Sequence, residues 1–300
     1  MARHVTRLQD DRFILAGMNH PDPTRMHPDW IIPDWPAPQG VQAVCTTRAG
    51  GVSKAPYATL NLGDHVGDDP VAVEVNRARL QQAIQARPVF LSQVHGVEVA
   101  ELSVATVHGK QTDACVTAQA GVACAVMVAD CLPVLLTNSR GTAVAAAHAG
   151  WRGLAGGVLD AALQSLFKEN QAVAPVDVAQ AAIEVIATDM SKEVLVWLGP
   201  CIGPDAFEVG AEVRAAFVAR NPLAAQHFKP GAATGKYWAD LAGLARQCLM
   251  TAGVSPAQIH GNDSSPEWCT VSNPSRFFSH RRDGVALGGT GRMAACVWLG

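Results

Sequence analysis

Several patterns are missing from this chain of 300 residues, and each absence removes a class of explanation. It contains no CxxC pair, and its eight cysteines (45, 115, 124, 131, 201, 248, 269 and 296) are scattered, so they read as reduced thiols and not as a disulfide framework. It contains no HxH pair, which a four-copper oxidase needs several times over, and no HxE signature of the zinc deaminases. Nowhere is there a run of roughly 20 uncharged apolar residues, so no membrane span is expected. Lys and Arg (23) do not exceed Asp and Glu (26), and the net charge of -3 offers nothing to a nucleic-acid backbone. The first thirty residues carry Arg3, Arg7, Asp10 and Asp11 with no apolar h-region, so no secretory signal is read and a cytoplasmic protein is expected. Internal repeats, low-complexity tracts and an obvious phosphate loop are also missing.

What is present suits a large buried core: 49% of residues are hydrophobic and 16% charged. Residues 1–40, rich in Pro, Asp and His, read as an irregular leader or edge segment, and 41–300 as a single domain. Strands are expected at 41–47, 89–93, 97–102, 123–129, 133–137, 142–148, 194–198 and 294–299. Apolar residues of both parities in the middle of this set indicate strands covered on both faces. Helices are expected from Pro70, capped by Asp68-Asp69, to about Ala86, and at 154–167, 175–187, 212–220 and 238–252. Strands and helices interleave without a regular βαβ rhythm, which points to a mixed-sheet α/β or α+β domain and away from a doubly wound one.

Three segments place a metal-type ligand where a strand meets Gly or Pro: Ser92-Gln93-Val94-His95-Gly96, Ala129-Asp130-Cys131-Leu132-Pro133 and His148-Ala149-Gly150-Trp151-Arg152-Gly153. Two imidazoles and a thiol suit zinc with one coordination position left open. The same residues also allow Cys131 as a nucleophile activated by His148 or His95. A blue-copper set with Met127 or Met293 as the axial ligand is a further alternative. Asp130, expected to point to the opposite face from Cys131, is a candidate substrate or proton-transfer group. Arg48, beside Gly50 and Gly51, is a candidate anion holder. Asn61-Leu62-Gly63, Gly199–Pro204 and Ser279–Gly284 are loops with polar heads and permissive backbones.

With Thr46–Ser53, Val134-Leu135-Leu136, Phe277-Phe278 and Gly291-Arg292 added, these motifs resemble the YfiH-type family over about residues 41–299. That family was once called multicopper polyphenol oxidoreductase (laccase-like) and is now associated with purine nucleoside phosphorylase activity. The resemblance implies a metal, usually taken as zinc with copper as the other choice, held by His95, Cys131 and His148. It implies a mixed β-sandwich flanked by helices in an α/β/β/α arrangement, akin to a group of cysteine hydrolases. Adenosine, inosine, guanosine and methylthioadenosine, together with phosphate, are the implied partners, with adenosine deamination as a second activity. On that reading Cys131, Asp130 and Arg48 are the catalytic candidates, Arg48, Asn61, Ser92, Gln93 and Arg282 the substrate-binding ones, and a monomer is expected. The longer Ala-rich 170–192 region, the Val-Ala-Leu-Gly-Gly between Arg282 and Arg292, and Phe207 depart from the pattern and bear on substrate choice. The rival functions are a copper-dependent polyphenol oxidase, a metal-free cysteine hydrolase or amidase acting on a peptidoglycan precursor, and a non-catalytic protein with a structural metal.

Overall fold

Residues 24–172 and 193–300 are described by a computed structural model. Two sheets stack face to face. The first has the order β1 (Val41–Cys45), β13 (Met293–Leu299), β5 (Val122–Val128), β2 (Arg87–Phe90). The second runs β12 (Ile259–Gly261), β8 (Val194–Leu198), β6 (Leu132–Asn138), β7 (Val144–Ala149), β4 (Ala114–Thr117), β3 (Val99–Glu101). Both are mixed, with parallel pairs at β2–β5, β3–β4 and β12–β8.

The two-parity apolar runs have a direct structural cause. Along β5, Val122, Cys124 and Val126 face the second sheet and pack with Cys115, Leu135, Val144 and Trp197. The alternate residues Ala123, Ala125 and Met127 face outward, under Leu80 and Ile84 of helix α1 (Pro70–Ile84). In the second sheet Leu132, Val134 and Leu136 face the helices α3 (Val158–Ala172) and α5 (Leu241–Thr251), meeting Leu159, Leu163 and Leu244. The layers therefore run helix, sheet, sheet, helix, and the mixed α/β architecture expected from the sequence is observed. Truncating a fully buried side chain here, Leu80→Ala for example, costs about 2–5 kcal/mol.

Local signals explain the element ends. Asp69 caps α1 by accepting from the Val71 N–H at 3.0 Å, with Pro70 at the first helical position. The helix expected at 154–167 is two helices, α2 (Trp151–Gly156) and α3, broken at Gly157, whose φ of 106° suits glycine. Trp238 lies in a strand, not in the helix expected from 238, because Asp240 caps α5 through the Gly243 N–H at 2.9 Å. That strand, β11 (Lys236–Ala239), joins β9 (Glu208–Gly210) and β10 (Phe228–Pro230) in a third, small sheet beside α4 (Ala211–Arg220) that the sequence did not disclose. Strand β4 was missed as well. Residues 24–40 are irregular yet packed: Met26, Trp30 and Trp35 are buried, and Ile31 bridges Cys45 at the sheet edge. The helix expected at 175–187 lies outside the described residues. Among the described residues no helix is long and apolar enough to cross a membrane.

Candidate metal centre

The antiparallel β6–β7 pair aligns Leu132 with Ala149 and Pro133 with His148, so the residue before β6, Cys131, lies beside the end of β7. The loop after β2 brings His95 from the other sheet. The ligand atoms of His95, Cys131 and His148 all lie within 4.8 Å of one another, with Cys131 Sγ 3.7 Å from His95 Nε2. The two imidazoles meet edge to face at 4.8 Å between centroids. A tetrahedral zinc ~2.0–2.3 Å from each donor separates its donors by roughly 3.3–3.8 Å, so a slight contraction would seat the ion. His148 is buried, Cys131 half-buried and His95 exposed, so the cluster is reached from solvent on the His95 side.

Gly150 makes the convergence possible. A Cβ there would stand 2.6 Å from His95 Cδ2 and 3.1 Å from Cys131 Sγ, so the glycine after His148-Ala149 is required by space. The hub is a residue that the sequence did not single out. Asp113, fully buried, accepts from His148 Nδ1 at 2.8 Å and His95 N–H at 2.9 Å through Oδ1, and from Val94 and Gly96 N–H at 3.0 and 2.7 Å through Oδ2. One carboxylate therefore folds the 94–96 turn, in which His95 adopts φ 62°, and commits His148 Nδ1, leaving Nε2 for the thiol or an ion. Its faint sequence signal is an acidic residue immediately before the short apolar run Ala114-Cys115-Val116.

The electrostatics follow from this geometry. Burial alone would raise the Cys131 thiol, but the positive charge of His148 and hydrogen bonds with His148 and His95 outweigh it and bring the pKa down to about 6. Burial alone would lower His148, but the Cys131 thiolate and Asp113 raise it to about 9. Burial would also raise Asp113, and its bonds from His148, Gly96 and Val94 hold it below the usual carboxylate range. Without a metal the line is thiolate, imidazolium, carboxylate.

The other expected site residues are placed differently. Asp130 is not in a strand. It sits at φ 99° in the β5–β6 turn, and both its oxygens are taken, by Thr270 Oγ1 and Arg281 N–H, each at 2.6 Å. It braces the turn that carries Cys131, each oxygen accepting one hydrogen bond from the 270–281 segment. Asn61 is fully buried and has all four side-chain hydrogen-bond positions filled, by Gly63 N–H and C=O, Asp68 and the Arg292 N–H, so it cannot meet substrate. Gln93 pairs both ends of its amide with Met127, at 2.8 and 2.7 Å, and pins the His95 loop to β5. Ser92 is exposed, and its N–H donates to the Lys110 carbonyl. Arg48 donates to the carbonyls of Ala58 and Pro274 and stacks 4.8 Å over Phe278. Arg282 forks onto Asp283 with two 2.7 Å bonds and donates to the carbonyls of Thr270, Val271 and Phe277. The structure thus gathers the three metal candidates and gives bracing roles to most of the proposed substrate contacts.

Comparison with known proteins identifies the family. Residues 42–300 match the family model described as multi-copper polyphenol oxidoreductase laccase. A purine nucleoside phosphorylase of Pseudomonas aeruginosa is 49% identical over 270 residues, covering 90% of this chain and 98% of that protein. The Escherichia coli purine nucleoside phosphorylase YfiH is 46% identical over 271 residues, with the same coverage of 90% and 98%. Among solved structures, a Neisseria meningitidis protein aligns at TM-score 0.75 and 43% identity over 90% of this chain and 99% of its own. YlmD from Geobacillus stearothermophilus aligns at 0.72 and 32% identity, over 87% and 92%. With its whole sandwich matched and its His–Cys–His cluster assembled, the chain belongs to the YfiH-type family, whose model carries the multi-copper polyphenol oxidoreductase laccase description.

Proposed function

We propose that this protein is a zinc-dependent purine nucleoside phosphorylase acting on adenosine, inosine, guanosine and methylthioadenosine. The observation that carries the reading is the convergence of His95, Cys131 and His148 within 4.8 Å on a centre reached from solvent on the His95 side. The relatives named purine nucleoside phosphorylases supply the substrate class. Two nitrogens and a thiolate fit zinc, and they also accept copper. When bound there, the metal supplies Lewis acidity beside the reacting centre. The protein's own part is positional: Asp113 holds the His148 tautomer, Gly150 admits the donors to one another, and Asp130 and Gln93 fix the two loops. Phosphorolysis joins a phosphate oxygen to the ribose C1′ as the bond to the purine nitrogen breaks, and that nitrogen takes a proton. Orienting both reactants is the largest contribution a rigid site of this kind can make.

The test is a nucleoside panel, with and without phosphate, on protein of measured metal content. Ribose 1-phosphate formation that disappears with the metal supports the reading, and its absence from fully loaded protein overturns it. Adenosine deamination is proposed as a second activity of the same centre, read as ammonia release without phosphate. A phenol oxidase would instead consume oxygen aerobically.

A specific observation favours a second reading. Cys131, His148 and Asp113 offer a nucleophile, a base within 4.8 Å of it and a carboxylate bonded to that base, the residue types of a cysteine hydrolase. In that chemistry the Cys131 thiolate attacks an amide carbon, the amine leaves with a proton from His148, and water then hydrolyses the thioester. Turnover of a peptidoglycan-type amide by metal-stripped protein, lost in Cys131→Ala, would establish it.

A further inference from the structure

Phosphorolysis needs a cation for the phosphate, and neither arginine that the sequence nominated keeps its Nε–Nη2 edge open. Arg282 spends all its donors on Asp283 and three carbonyls, and Arg48 spends Nε on the Ala58 carbonyl and Nη1 on that of Pro274, with its plane stacked on Phe278. A third arginine is placed differently. Arg292 stands at the head of β13, with its N–H donating to Asn61 Oδ1 at 2.8 Å and its carbonyl accepting from Leu62 N–H at 3.1 Å. Its stem lies over Gly63, where a Cβ would come within 2.8 Å of Arg292 Cγ. The Asn61-Leu62-Gly63 loop is therefore a socket for this side chain.

The guanidinium at the end of that stem is underused. Only Nη1 donates within the protein, to the Thr290 and Gly291 carbonyls at 3.0 and 3.2 Å. Among the described residues Nε and Nη2 have no acceptor, and no carboxylate forms an ion pair with it. The residue after it, Met293, pairs with Val128 of β5, which sets Arg292 at the end of β5 that leads into the Asp130–Cys131 turn; burial lowers its pKa, and Cys131 and Asp130 oppose that shift. A partly buried guanidinium without a direct ion-pair partner is costly to maintain, and its Nε–Nη2 edge is the fork that matches two oxygens of an oxyanion.

We infer that Arg292 binds the phosphate co-substrate through its Nε and Nη2 donors, beside the His95–Cys131–His148 centre. This rests on the phosphorylase reading, and it assigns the phosphate contact to a residue other than Arg48 or Arg282. A metal ion at the centre offsets the negative charges of Cys131 and Asp130 that would otherwise repel the phosphate.

The experiment compares wild type, Arg292→Gln and Arg292→Lys, all metal-loaded, in inosine phosphorolysis and in calorimetric titration with inorganic phosphate, with sulfate as the second anion. Losing a charge-assisted fork should raise the KM for phosphate by ~10- to 100-fold, while the KM for inosine moves by less than about 3-fold and bound metal is unchanged. Arg292→Lys, which keeps the stem and the charge, should recover part of the phosphate affinity, and it serves for the same measurement if the Gln variant unfolds. Sulfate should compete with phosphate in wild type and not in Arg292→Gln. Wild-type phosphate KM and affinity in Arg292→Gln overturn the inference while leaving the phosphorylase reading intact. Phosphate binding that needs Arg292, in a protein forming no ribose 1-phosphate, supports the anion site and overturns that reading.

Discussion

Cys124 and Cys131 flank the same turn of the chain and have opposite chemistry. Cys124 lies between the two sheets, 0% exposed, where burial drives its pKa well above the ordinary thiol value and the neighbouring thiols of Cys115 and Cys296 push it further. Cys45 and Cys296 are raised in the same way, Cys45 to about 12. Burial pushes Cys131 the same way, but the charge of His148 and hydrogen bonds with His148 and His95 bring it down to about 6. A buried thiol is inert by default, and only the imidazoles that the fold carries to a strand end make one into a ligand or nucleophile.

Four experiments test how far that contrast holds, beginning with the largest effect. Cys131→Ala should abolish metal content and reduce nucleoside turnover on the order of 10³-fold or more, whereas Cys124→Ala should leave both intact and cost only ~1 kcal/mol of stability. Elemental analysis and ribose 1-phosphate assays decide it, and an active, metal-free Cys131→Ala would end the proposal. Asp113→Asn should weaken metal binding by ~10- to 100-fold in chelator competition, since it places a donor against His148 Nδ1 or the 94–96 amides. Unchanged affinity would remove Asp113 from the centre. Gly150→Ala should cost about 1–3 kcal/mol, divided between metal affinity and melting temperature, as its methyl displaces His95.

The smallest effect contrasts two histidines. Burial lowers the pKa of His227, with Asp240 only partly offsetting it. The unfolded chain therefore takes up a proton that the fold resists as pH drops through about 6.5, and stability falls on acidification. His148 has the opposite sign: raised to about 9, chiefly by the Cys131 thiolate, it contributes stability that is lost as pH rises through 9 in the metal-free protein. Thermal melts from pH 5 to 10 should show His227→Gln flattening the acid side only. A flattened alkaline side in that variant would refute the assignment.

Much of this was legible residue by residue. Asp69-Pro70 announced α1 because a capping carboxylate and a first-turn proline act within a few residues. Val122–Val128 announced a doubly covered strand because both parities must be apolar when both faces are buried. The four-residue β4 and the three-residue strands β9 and β10 were not legible, since so short a segment carries no period. Asp113 was invisible because its importance lies in accepting bonds from residues 94–96 and 148, none of them its sequence neighbours.

The sequence by itself determined which segments could be strands and helices and which three donors could hold a soft-ligand metal, because periodicity and ligand chemistry are local properties. Only the tertiary structure decided what each polar head does. Arg48, Arg282 and Arg292 carry the same guanidinium, the first and third in glycine-containing loops and the second in the short helix His280–Ala286. Arg282 has every donor occupied and Arg48 has its Nε taken by a carbonyl, while Arg292 keeps its Nε–Nη2 edge open at the end of β5 that leads to Cys131. Hydrogen-bond capacity is finite, and the residues that use it up are brought together by the fold and not by the order of the chain.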